Sequence, residues 1–421
     1  MPLLFWFVDL QTDIDLMSPR SCLQIAPTVE ALVTCLDKFT VPHAYYDAMT
    51  HELAQPVGTQ REDWKAVVQA LLDVNGSCPG TLVPLSLQGL YTVEPFQGFC
   101  VLYETASRCG TYLKGWGFFI VPSSQRDISR NVHISAPHPG YDLGTVEQAA
   151  AVFEATGSRS LLVPGRTRTA FLSTSDCIVP TSPKQDYYKT DPAHNVKEPF
   201  FDASIAISNW QHRQPGGCPS SSCAFLQFHG KGSRTCHSDD IFLSSGLGNS
   251  STSRSWYTDA IDRPIKRLQA NLQLAFPSSW EISLPSDSNC PLTATKNVAG
   301  RYLNGIPISH VCSKATNSRL ASGEFIHAEQ ATLPRDRKYY EAWTKAVKDT
   351  FEARCDSEKS ENGAKMIIDP ETGLCVGAVN GAVVVGSEGV STIGEMGRMG
   401  NPLTLNQRSL WYMLLSFLNV P

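Results

Sequence analysis

Apolar residues along this chain recur at two periods, and the period changes with position. Residues 1–20 have neither period and read as poorly structured. From Cys22 to about Val74 the spacing is helical. The run from Thr59 to Leu72 opens with a capping-type Thr and an acidic first turn at Glu62 and Asp63, then places apolar residues at helical intervals. From Thr81 to Val121 the texture changes. Short β-rich runs (Leu90–Val93, Gly98–Tyr103, Trp116–Val121) alternate with Gly and Pro, and the last reads as a buried strand.

Beyond this the two periods alternate. Val132–Ala136 predicts a strand and Thr145–Thr156 a helix closed by Gly157. Ser160–Pro164 follows as a strand and Pro199–Trp210 as a helix. Cys223–Phe228 is a strand running into His229-Gly230. Ile261–Ala275 is a helix, Glu324–Glu329 a strand, and Pro334–Cys355 a long helix. Strands separated by helices predict an α/β fold, a three-layer α/β/α domain around a mostly parallel mixed sheet. It spans about residues 126–355, with an N-terminal α+β elaboration over 21–125 and a C-terminal appendage over 356–421. Within the appendage a polar run, Asp356 to Lys365, precedes a Gly- and Val-rich stretch, Gly377 to Gly400, that carries no chemistry. In such sheets ligands sit at the carboxyl ends of the strands. The loops to search are those after Ile134, Val163, Phe228 and Glu329.

Composition narrows the class. The chain has 421 residues, 42% of them hydrophobic, which suffices for a large core. Net charge is -5 and no long basic run occurs, so a nucleic-acid partner is not expected. No run of about 18 apolar residues is present, so no membrane span is expected. Thirteen scattered cysteines read as disulfides of an oxidising compartment rather than as one metal cluster, and the odd total leaves at least one thiol over. Cys218 and Cys223 suit a small disulfide-closed loop; half of a zinc knuckle is the alternative, with the other half missing. Two sequons, at Asn75 and Asn249, agree with a secreted glycoprotein. The first ten residues are apolar but lack a basic n-region, and Asp9, Asp13 and Asp15 break the pattern, so no signal peptide is evident.

Candidate chemistry lies at the strand ends. His138 stands in a Pro-His-Pro-Gly turn after a strand, Asp142 is four residues on, and His229 follows another strand. Two imidazoles and a carboxylate with an open fourth position form the usual catalytic zinc set. Both ligands of one tight loop reach a single ion only if the backbone reverses between them, a freedom that Gly140 supplies. Arg166 and Arg168 follow the strand ending at Pro164; one of them could clamp a substrate carboxylate, with a surface ion pair as the alternative. His194, in the polar cluster Asp191-Pro-Ala-His-Asn195, could orient a ligand or bind substrate; helix capping by Asp191 or Asn195 is the alternative. His237, Asp239 and Asp240 read as a solvated loop, and His327 as a packed side chain. No Gly-x-Ser-x-Gly elbow and no phosphate-binding Gly-Lys-Ser/Thr loop occurs.

The segment Ala136-Pro-His-Pro-Gly-Tyr-Asp-Leu-Gly-Thr145 resembles the first metal motif of the zinc carboxypeptidase-like exopeptidases, most closely the poly-γ-glutamate hydrolase branch. Leu226–Gly230 resembles the family's third-ligand strand, and Gly323–Gln330 the strand that carries its catalytic Glu. The resemblance covers about residues 130–345. It implies a zinc exopeptidase-like fold, a zinc ion on His138, Asp142 and His229, Glu329 as general base, and Arg335 as a substrate-binding Arg. The family carboxylate is normally Glu at a slightly different spacing; here the loop is one residue shorter, and Glu147 is the other candidate. The implied activity is zinc-dependent hydrolysis of an amide bond in a peptide-like or γ-glutamyl substrate. Two alternatives stand beside it. One is a metal-dependent esterase or deacylase of a small molecule; the other is a secreted binding protein without activity. Oligomeric state is left open.

Overall fold

The computed structural model describes residues 18–78, 82–180, 186–355, 365–379 and 382–384. Expectations for residues 1–17, 356–364, 380–381 and 385–421 lie outside the described residues. The chain divides into two units, Met1–Val384 and Val385–Pro421, and only the first contains described residues.

The N-terminal segment forms α1 (Pro19–Ile25), α2 (Val29–Asp37), α3 (Ala48–Ala54) and α4 (Gln60–Leu72). Ser18, Thr28 and Asp47 cap the first three, each side chain accepting a backbone N–H of the first turn. Thr59 does not cap α4. Its own backbone is already helical, and its hydroxyl donates to Asp63 at 2.8 Å instead. Strands β1 (Tyr91–Phe96) and β2 (Phe99–Glu104), a small hairpin of β3 (Ser107–Arg108) and β4 (Thr111–Tyr112), and β5 (Phe118–Pro122) follow.

The alternating region supplies β6 (Arg130–Ser135), α5 (Thr145–Thr156), β7 (Ser158–Val163), α6 (Pro199–Arg213), β8 (Cys223–Gly230), β9 (Ile241–Ser244), α7 (Ser251–Thr258), α8 (Pro264–Ala275), β10 (Ile282–Ser283), α9 (Val298–Leu303), β11 (Phe325–Gln330) and α10 (Tyr340–Thr350). Three short strands close the first unit as a separate sheet: β12 (Lys365–Ile368), β13 (Cys375–Val379) and β14 (Ala382–Val384). α10 is shorter at both ends than the sequence predicts. Asp336 and Phe351 have extended backbones, so neither can continue a helix.

The main sheet has nine strands in the order β1-β2-β5-β7-β6-β8-β11-β9-β10. Its centre, β7-β6-β8-β11, is parallel, and its N-terminal flank, β1-β2-β5, is antiparallel and joins β7 antiparallel. β9, too short a run to stand out in the hydrophobic pattern, pairs antiparallel with β11. The fold is therefore α/β with a mixed sheet, parallel at its core. The N-terminal strands extend the central sheet at one edge.

Side-chain alternation sorts the core into two layers. Phe118, Ile120, Leu226, Phe228, Ile326 and Ala328 face α2, α5, α8 and α10. Phe119, Val121, Leu162, Phe225 and Phe325 face α4 and α6. On β8 and β11 the positions opposite the first layer are Gln227, His229, His327 and Glu329. Toward the carboxyl ends of the two strands this face is therefore polar, although buried.

Six disulfides join described residues: Cys22–Cys35, Cys78–Cys100, Cys177–Cys312, Cys218–Cys223, Cys236–Cys290 and Cys355–Cys375. The Cys218–Cys223 pair forms the small closed loop expected in place of a zinc knuckle. Cys109 is the thiol left over, and it is exposed. No helix among the described residues is long and apolar enough to cross a membrane.

Candidate metal centre

The loop after β6 folds back on itself. The N–H groups of Tyr141 and Asp142 both donate to the carbonyl of His138, at 3.2 and 2.9 Å. The reversal uses Gly140 at φ +66°, where a Cβ would also meet Thr167 at 2.9 Å. Asp142 then sits under the first turn of α5, its carbonyl accepting the Thr145 hydroxyl at 2.7 Å. This tight turn puts Asp142 beside His138 although the two lie on the same short loop.

Three buried ligand atoms meet at this point. His138 Nδ1 lies 3.0 Å from Asp142 Oδ2, His229 Nδ1 lies 3.4 Å from the same oxygen, and the two Nδ1 atoms are 3.2 Å apart. A tetrahedral ion with bonds of about 2.0–2.1 Å would set its ligand atoms roughly 3.3 Å apart. The three observed edges match that spacing. His138, Asp142 and His229 are 2%, 4% and 2% exposed, so the three ligand atoms lie away from solvent. The donor set fits a divalent metal. Glu147 is not part of it: half-buried on the first turn of α5, it makes its charge felt at Asp37 and Tyr340.

The imidazole nitrogens turned away from the cluster are held too. His138 Nε2 lies 3.3 Å from Asp191 Oδ1, and His229 Nε2 lies 3.4 Å from Gln227 Oε1, which also accepts Asn297 Nδ2 at 2.9 Å. Such partners orient a ligating His and fix which nitrogen carries the proton. Both rings thus present Nδ1 to the cluster.

The two imidazoles differ electrostatically. Burial disfavours a charged His138, yet Asp142 and Asp191 together hold its pKa above the ordinary value. Burial would also raise Asp142, but His138 and His229 hold its carboxyl far below the usual range. Burial lowers His229 to about 4, so its ring is neutral and able to ligate. Glu329, 9% exposed, is pushed well above the usual carboxylate range by burial and then by the charge of Asp142.

The other sequence candidates separate. Arg168 reaches the site: Nη2 donates to Asp191, and the guanidinium lies over the Tyr141 ring at 5.2 Å. His194 donates through Nδ1 to Asp191 at 3.0 Å and stacks on Tyr187. Arg335 lies against Gly230 at the end of β8 and donates to the Leu143 carbonyl at 2.6 Å. Arg166 does not reach the site. It is fully buried, with Nε and Nη2 on the two oxygens of Glu198 at 2.8 and 2.9 Å, so no part of its guanidinium is open to a substrate carboxylate.

Three further corrections concern residues given other roles. Asp191 is no helix cap: completely buried, it accepts from His138, Arg168, His194 and the Ala193 N–H. His327 faces the site rather than the core, because residues i and i+2 of a strand share a face and Glu329 is two residues on. That signal was present in the sequence. Asp239 is buried rather than solvated, accepting from Ser283 and from Ser288. Lys231, not singled out from the sequence, follows β8 and is buried close enough to bear electrostatically on Glu329.

No family model matches the chain, and no curated protein sequence matches it. Two solved structures from Shewanella denitrificans OS-217 are similar over part of the fold, both at 12% identity. One, a "Putative carboxypeptidase A", aligns over 55% of this chain and 60% of its own with a TM-score of 0.28. The other, a "putative metallopeptidase", aligns over 72% and 90% with a TM-score of 0.27. The chain thus spans under two thirds of the first of them.

Proposed function

We propose that this chain is a zinc-dependent hydrolase that cleaves an amide bond of a peptide-like or γ-glutamyl substrate. The observation that carries the reading is the triangle of His138 Nδ1, Asp142 Oδ2 and His229 Nδ1, whose edges suit one tetrahedral ion. A bound zinc ion would lower the pKa of its water to about 7 and polarise the scissile carbonyl. Everything else falls to the chain's own side chains.

Glu329 closes the site from the neighbouring strand, in register with His229. As general base it takes a proton from the attacking water and passes it to the leaving amine. Arg168 and Arg335 would read a substrate carboxylate; Arg168 is held by Asp191, and Arg335 donates to the Leu143 carbonyl. His194, bound through Nδ1 to the same carboxylate, keeps Nε2 for a polar group of the substrate. Six disulfides support an oxidising, extracellular setting.

Metal analysis and turnover test this together. The purified protein should carry one zinc per chain, and chelation should abolish hydrolysis of a panel of γ-glutamyl and α-peptidyl amides. Glu329→Gln should keep the zinc and lose roughly 100- to 10,000-fold in kcat, while His138→Ala should lose the metal. Stoichiometric zinc that never forms, or turnover that survives chelation, would refute the reading.

A further inference from the structure

Glu329 has a neighbour to which no role has been given. His327 shares its face of β11 and places Nε2 3.4 Å from Glu329 Oε1. Its other nitrogen, Nδ1, lies 3.4 Å from the hydroxyl of Ser244, directly across on β9. The ring packs on His229, with centroids 4.3 Å apart. The imidazole is thus held on three sides and buried, at 5% exposure.

From this arrangement we infer that His327 is a positioning residue for Glu329. In this role the Ser244 hydroxyl is the donor to Nδ1, and the single ring proton sits on Nε2. That N–H then faces Oε1 of Glu329 across 3.4 Å, to which it donates as the site tightens, and Oε2 is left to face the water. A carboxylate on a short side chain otherwise rotates about its last bond, and misplacement of a base by about 1 Å costs on the order of 100-fold in rate. Contacts of this kind are often long before substrate arrives and shorten afterwards. Packing alone does not account for the residue: an apolar side chain would fill the same space without two polar partners at opposite ends.

This inference rests on the reading of Glu329 as the base, and the test separates the two. His327→Leu should retain one zinc per chain and an unchanged KM, while kcat falls roughly 10- to 100-fold. His327→Gln, which keeps an N–H donor, should recover much of that loss. Adding His327→Leu to Glu329→Gln should cost nothing further, since the residue acts through Glu329. In 15N-histidine spectra of the zinc-loaded protein, His327 should be neutral with its proton on Nε2, and that signal should move in Glu329→Gln. Full kcat in His327→Leu, loss of zinc in that variant, equal kcat in the Leu and Gln variants, or a proton on Nδ1 would each overturn the positioning role. Full turnover in Glu329→Gln would overturn the base assignment itself.

Discussion

Asp191 carries more of the site than any residue outside the ligand set. One buried carboxylate accepts from His138, Arg168, His194 and a backbone N–H, and burial, which would raise its pKa, is outweighed by Arg168 and His194. Loss of its charge would free the His138 ring and the Arg168 guanidinium at once. Asp191→Asn should therefore weaken zinc binding by about 10- to 100-fold, the usual effect of removing a partner behind a metal ligand. Competition with a chromophoric chelator reads this directly, and unchanged affinity would show that Asp191 serves only the loop. Its sequence context, Asp191-Pro-Ala-His, looks the same for a cap as for a metal-ligand partner. The choice depends on what the folded chain brings within 3.3 Å of the carboxylate, so no local pattern could reveal it.

At the scale of elements, Glu104 at the end of β2 ties the antiparallel flank to the turn that enters β5. Its carboxylate accepts the N–H groups of Lys114 at 2.5 Å and Gly115 at 2.7 Å, and the Tyr91 hydroxyl at 3.0 Å. Burial nonetheless pushes its pKa up to about 7. A raised acid binds its proton more tightly in the folded state. The resulting stability is complete below the unfolded value of about 4.5 and is lost as pH rises through about 7. The difference corresponds to on the order of 3 kcal/mol. Glu104→Gln should remove this part of the slope, so urea midpoints at pH 5 and pH 7 should lie closer together than in the wild type. An unchanged gap would mean that the group does not titrate in this window. Elements themselves were well foreshadowed: β6, α5, β7, α6, β8 and β11 lie where the alternation of periods put them. β9 and the two-residue β10 were not, since short runs such as Ile241–Ser244 show too little pattern to separate strand from loop.

For the molecule as a whole, the disulfides differ in what they constrain. In the chain-entropy picture, the Cys177–Cys312 bridge, with a sequence separation of 135, contributes about 5 kcal/mol, against about 2 kcal/mol for Cys218–Cys223 with a separation of 5. The long bridge also anchors the segment between β7 and α6 that holds Arg168, Asp191 and His194. Replacing Cys177 and Cys312 with Ser should lower both the melting temperature and zinc affinity, whereas the Cys218/Cys223 double replacement should leave zinc affinity unchanged. Equal effects of the two pairs on zinc would show that this segment is held by packing alone.

By itself, the order of hydrophobic periods determined an α/β chain, its helices and most of its central strands, because each element repeats its pattern over enough residues to stand out from noise. Residue types in the loops after the predicted strands pointed to His138, Asp142 and His229, and the resemblance to the zinc exopeptidases added Glu329. Only the tertiary structure decided which polar residues join them. Arg166 and Arg168 are two residues apart, yet one is sealed against Glu198 and the other reaches Asp191. His327 and Ser244 come together only because β9 pairs antiparallel with β11. Contacts between residues far apart in the chain depend on strand order and register, and these arise from packing the whole sheet between its helices rather than from any short stretch of sequence.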